Sequence, residues 1–177
     1  DQDESLVDMM NLDLIIGSGG VLSHAPNRNS AALMLLDAYQ PEGVTKLTVD
    51  SIFMMPHLGV FSSVDANAAT EVFHRDCLVP LGTAICPKGK AKRGEKILRV
   101  DEIELSAGEL KCIELPPFEK KKLKLTPLKR SIDIGAGAGK EMEVEVSGGH
   151  AGIILDARGR PIEFEETTKD WYEAFGL

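Results

Sequence analysis

The chain is poor in aromatics, which make up only 5% of its 177 residues. With 43% hydrophobic residues it can still bury a core, so aliphatic and methionine side chains must fill it. No apolar run is long enough to cross a membrane, and no secretory leader is read at the start. Cysteine is scarce: Cys77, Cys86 and Cys112 form no CxxC pair. The histidines at 24, 57, 74 and 150 show no ligand-like spacing, so no metal site is expected. An odd cysteine count without a leader fits a reducing cytoplasm. His74 and Cys77 lie three apart on an expected helix, and a packed cysteine beside a surface histidine is the preferred reading. No Ser/His/Asp arrangement or pair of catalytic carboxylates emerges, so no catalytic residue is assigned. The chain opens inside a polar, helix-like stretch, Asp3–Met10, without an initiator methionine, and is read as a fragment of a longer protein.

Charge is unevenly spread around a net of −8. Residues 1–87 hold 11 acids and 3 bases, residues 88–130 hold 7 and 13, and residues 131–177 hold 10 and 4. The basic middle has one aromatic, Phe118, and so lacks the stacking platform of single-strand binders. Solvated strand faces or contact with an acidic partner fit it better than nucleic acid.

What is present begins with Leu12–Ile16, an apolar strand that runs into Gly17-Ser18-Gly19-Gly20 and then helical sequence. Glycines there allow positive φ and close approach of a ligand to the main chain. Backbone N–H groups before a helix suit an anionic or nucleotide ligand. A tight turn without a ligand is the competing reading. A helix is expected over Asn29–Tyr39, capped by Asn29 or Ser30 and stopped by Gln40-Pro41-Glu42-Gly43. Lys46–Val49 reads as a second strand. Ser51–Phe61 reads as an apolar helix or turn interrupted by Pro56 and Gly59, with Asp50 capping it rather than holding magnesium-bound water. Asp65 caps a helix that runs to about Cys77.

Beyond Pro87–Gly94 the helical patterns give way to short alternating runs. Strands are expected at Ile97–Val100, Ile103–Leu105, Leu110–Leu115, Lys122–Thr126, Ser131–Ile134, Met142–Val146, Ala151–Leu155 and Ile162–Phe164, with a terminal helix at Asp170–Phe175. The fold class is therefore α/β (residues 1–87) followed by all-β (residues 88–177), the latter a small β-barrel or β-sandwich. Ile134–Lys140 imitates a phosphate loop. Three residues rather than four separate Gly135 from Gly139, and Glu141 stands where Ser or Thr should hold magnesium, so it reads as a hairpin loop. Arg158 and Arg160 flank Gly159. They read as a solvated turn or, more sharply, as an anchor for a carboxylate-rich partner.

Three stretches resemble a known family: Gly17–Pro26, Asp37–Thr45 and Val49–Val60. The family is the glutamate mutase (methylaspartate mutase) accessory proteins called MutL or GlmL, unrelated to mismatch-repair MutL. The likeness covers about residues 5–87 and extends loosely through Gly148–Pro161. It implies the C-terminal piece of an actin-like (ribonuclease H-like) nucleotide domain. Gly17, Ser18, Gly19 and Gly20 would then sit against the adenosine part of ATP. ATP or ADP with magnesium is the implied cofactor of the full-length protein, and the partners are cobalamin-dependent mutase subunits and the upstream half of the ATPase domain. The fragment alone should not be an enzyme. A non-catalytic interaction module, or a fragment of a metabolite or sugar kinase, are the other readings.

Overall fold

The computed structural model describes residues 7–52, 54–164 and 169–176. Two sheets stack, and helices cover the free face of the first. The first sheet has the order β1-β2-β3-β9-β6: β1 (Leu14–Gly17), β2 (Gly43–Asp50), β3 (Leu78–Cys86), β9 (Gly152–Asp156) and β6 (Leu110–Ile113). The β1/β2 and β3/β9 pairs are parallel, while β2/β3 and β6/β9 are antiparallel. The second sheet is antiparallel, in the order β5 (Ile103–Ser106), β4 (Lys96–Val100), β7 (Lys120–Pro127) and β8 (Met142–Ser147).

Alternation along the strands divides the core. Helix α2 (Arg28–Tyr39) buries Ala31, Ala32, Leu35 and Leu36 against Leu47, Val49, Leu81 and Ile154. On the other face Ile85, Ile153 and Leu155 meet Leu98, Leu123, Leu125 and Val146 of the second sheet. Strand β9 is buried on both faces, hence its unbroken apolar run. The short helix α5 (Lys169–Ala174) closes the α2 side, with Trp171 and Phe175 in that core.

The mixed α/β content of the expectation holds, and described residues 97–164 contain no helix. The switch at residues 88–94 is one of composition, because β6 and β9 beyond it complete the first sheet. The second sheet lies open against the first rather than closing as a barrel.

Several local expectations need correction. Asn27, not Asn29 or Ser30, caps α2: its Oδ1 accepts from Ser30 N at 2.7 Å. Pro56 does not interrupt α3 (Met55–Phe61) but starts it, where its missing N–H is not needed. Ser131–Ile134 is no strand and contributes one bridge, Lys88 to Asp133. Its isoleucines plug the second core, while Asp133 Oδ1 accepts from Gly135 N and Gly137 N and turns the chain into the glycine loop. Ile162–Phe164 is also no strand. Strand β3 escaped the sequence reading because Pro80 and Gly82 punctuate it; a bulge at Leu81 accommodates both. Asp65 does cap α4 (Ala66–Val72), accepting from Ala68 N, and a π-turn (Phe73–Cys77) follows. Half of the expected helix-like opening Asp3–Met10, residues 3–6, lies outside the described residues, and its end enters a 3₁₀ turn (Met9–Asn11).

Candidate functional site

Because β1 and β2 run parallel, their carboxyl ends share one edge of the sheet, a common location for ligands in α/β folds. Gly17 ends β1 for a packing reason: a Cβ there would lie 2.7 Å from Leu22 Cδ1 and 3.1 Å from Leu35 Cδ2. The next residues are different. Gly19 has φ +108°, and a Cβ at Gly19 or Gly20 would meet no atom within 4 Å. Gly20 opens the four-residue helix α1 (Gly20–Ser23), whose end is tied back by Ser23 Oγ to Gly19 O at 3.0 Å. Ser18 Oγ is buried and has no partner. The four expected nucleotide residues thus form one contiguous turn: one glycine packs it, one bends it, and space opens beside two of them.

At the end of β2, Asp50 is fully buried. Its carboxylate accepts from Ile52 N, Met54 N and Met55 N, the last two at 3.2 and 3.0 Å, and so caps the entry to α3. This is the capping role expected of it. The amides of that helix start are therefore occupied by a carboxylate of the chain.

The second expected site has a different character. Arg158 grips Asp156 bidentately, Nε to Oδ1 and Nη2 to Oδ2, both at 2.9 Å. Its Nη1 reaches Asp37 on α2 at 2.8 Å. Arg160 Nη2 donates to Asp156 Oδ2 at 3.0 Å, and Nε donates to Pro41 O at 2.8 Å. The guanidinium side chains are 1% and 4% exposed, and Arg158 Cζ lies 5.3 Å from the centroid of the Trp171 ring. The expected surface anchor is thus an internal clasp, and the carboxylates it holds belong to the chain. Sequence reading missed Asp37, 121 residues away, because only tertiary packing brings it there. Burial disfavours the Asp156 charge, but the two guanidiniums outweigh burial and hold its carboxyl below the usual range.

The thiols are not poised for chemistry. Burial pushes Cys86 up to about 12 and Cys112 up to about 11, so both are protonated at neutral pH. Cys77 is packed, and His74 lies tilted against Phe73, as the sequence reading preferred. Among the described residues no cluster suits a metal ion, and no helix is long and apolar enough to cross a membrane. The basic middle segment is largely a solvated strand face, with Lys120 on Glu145, Lys121 on Asp101 and Lys124 on Glu141.

Fold and site define an α/β protein whose parallel edge pair ends in an open glycine turn. Residues 4–77, which contain that turn, match the family model described as MutL protein, the glutamate mutase accessory family. The match includes the turn and runs on through α4; residues 78–177 lie outside it. Neither the curated proteins nor the solved structures hold a significant match.

The geometry separates the glycines in a testable way. Gly20→Val should leave the fold intact, since its φ is not positive and space is open there. If the turn meets a nucleotide, as proposed below, the substitution should lower nucleotide affinity about tenfold, or ~1.4 kcal/mol, by filling the ligand's approach. Calorimetry on the folded variant decides this, and unchanged affinity would leave the glycines a purely structural turn.

Proposed function

We propose that this chain is the C-terminal region of an actin-like ATPase accessory protein that reactivates an adenosylcobalamin-dependent mutase such as glutamate mutase. The observation that carries the reading is the open glycine turn at the end of parallel strand β1, inside the segment that matches the MutL family. Gly17, Ser18, Gly19 and Gly20 would lie against the nucleotide. Magnesium and phosphates would be held by the upstream half of the cleft. Nucleotide-dependent closure would alter affinity for the mutase, which requires two states that bind nucleotide differently.

The test is recovery of glutamate mutase inactivated by a damaged cobalamin. Full-length protein with ATP and magnesium should restore turnover, and omission of ATP should abolish the effect. Failure with every cobalamin mutase tried would remove the accessory reading. The chain of 177 residues alone should show no magnesium-dependent ATP hydrolysis above background. Catalysis needs positioned charge and a water-orienting group together, and this reading assigns them to the upstream half of the cleft.

A further inference from the structure

The second sheet covers only part of the first. Its side chains meet Ile85, Ile153 and Leu155 on β3 and β9. Val44 is the register partner of Ile85, and Leu14 that of Lys46 two residues on, so these lie on the same face. There Leu14 is left 40% exposed and Val44 half-buried. A cavity of about 790 Å³ opens at this step, lined by Leu14, Val44 and Lys46 of the first sheet and by Met142, Val144 and Glu145 of β8.

Strand β8 ends its sheet, so one of its edges has no strand beside it. Two contacts fix the direction of its main-chain groups. Gly148 N donates to Glu119 O, on the β7 side. Ser147 points the other way: its N–H donates to Thr83 Oγ1 at 3.1 Å, and its carbonyl accepts from that hydroxyl at 2.7 Å. These directions alternate along an antiparallel strand, so Glu145 and Glu143 also aim their N–H and C=O groups at the free edge. Thr83 stands in for a neighbouring strand at Ser147, and beyond it the edge runs open along the cavity. Glu143 and Glu145 are exposed opposite Lys124 and Lys122 of β7, while Met142, Val144 and Val146 turn inward.

We propose that the free edge of β8 takes up an extended segment of a partner protein as a further antiparallel strand, its inward residues apolar and its outward residues Lys or Arg. Such strand addition draws affinity from main-chain hydrogen bonds and specificity from alternate side chains. Antiparallel pairing continues the pattern of the whole second sheet. The inward residues cover Leu14 and Val44 and complete the layer that the second sheet leaves short. The outward residues face Glu143 and Glu145, repeating on their other side the lysine–glutamate ladder that β7 supplies. The chain's net charge of −8 favours the approach of a basic segment. Lys46 does not reverse this, because Asp13 adjoins it: Lys46 N donates to Asp13 O at 2.9 Å. A second copy of this chain is a poor occupant, since two β8 edges paired antiparallel would set glutamate against glutamate. None of the residues of the glycine turn lines the cavity, so this proposal stands apart from the nucleotide reading.

The experiment measures fluorescence anisotropy of short labelled peptides on this chain. The probes are a peptide alternating valine and lysine, one alternating valine and glutamate, and two N-methylated forms of the first. The valine–lysine peptide should bind more tightly than the valine–glutamate peptide. N-methylation of its lysines, whose N–H groups face β8 when they lie opposite Glu143 and Glu145, should weaken binding about tenfold. N-methylation of its valines, whose N–H groups point away, should leave binding unchanged. Glu145→Pro removes an N–H from the free edge and leaves the β7 ladder intact. It should keep the thermal midpoint near wild type and weaken the valine–lysine peptide about tenfold. Glu143→Lys, which leaves the backbone untouched, should weaken that peptide about threefold and strengthen the valine–glutamate peptide. Absence of binding by wild type, equal binding of the two peptides, or any other pattern of methylation effects would overturn the proposal. A dimer in sedimentation that Glu145→Pro abolishes would give the edge to a second copy and overturn the assignment to a partner protein.

Discussion

Asp156→Ala should destabilise the folded chain by about 3–5 kcal/mol, the cost of stranding buried charges without their partner. Asp156 has no solvent exposure and holds both Arg158 and Arg160. Its removal leaves Arg160 without a carboxylate and Arg158 with Asp37 alone. The clasp also joins β9 to α2, so the loss should appear as a lower denaturant midpoint for the whole unit. The pH dependence has a definite sign. The folded-state pKa of Asp156 is depressed, so its contribution is present above the unfolded value, near 3.9. It is lost as pH falls through the lower folded value. Wild type should therefore lose stability in acid more steeply than Asp156→Asn, which has no charge to titrate. Equal stability of Asp156→Ala and wild type at neutral pH would contradict the clasp.

The second large effect is expected at Gly82, in the middle of the central strand. Its φ is +142°, and a Cβ there would stand 2.0 Å from the carbonyl oxygen of Gly152 on the adjacent strand β9. Backbone cannot yield as a flexible side chain does, so the β3/β9 pairing itself would have to open. Gly82→Ala should cost about 3 kcal/mol or more, from strained φ and overpacking together. Gly94→Ala is the control. Gly94 also has positive φ, +83°, but open space around it. That substitution should cost only the conformational strain, about 1–2 kcal/mol. Comparable losses from the two, read by chemical unfolding, would place the effect in φ alone and contradict the close strand approach.

Local chemistry was legible from the order of residues. Leu12–Ile16 and the following glycines specify a strand-to-turn junction because an apolar run needs burial and the turn needs positive φ at Gly19. Asp50 and Asp65 announce helix entries because a short side-chain carboxylate reaches amides only a few residues ahead. The alternation of Lys120–Pro127 shows a strand with one dry face. These are interactions of short range, and the sequence by itself determined them.

What needed the third dimension was everything that depends on distant partners. Whether Arg158 faces solvent or Asp37 depends on how β9 packs against α2, and no local pattern encodes that. Strand β3 reads poorly because Pro80 and Gly82 are unfavourable in isolation; its bulge and its close neighbour β9 make them acceptable. The composition break at residues 88–94 looks like a boundary, yet β6 and β9 return to the first sheet, because a parallel strand beside β3 buries both faces of Ile153-Ile154-Leu155. The free edge of β8 beside the uncovered face of β1 and β2 became visible only once the two sheets stood together, since which edge stays unpaired is a property of packing.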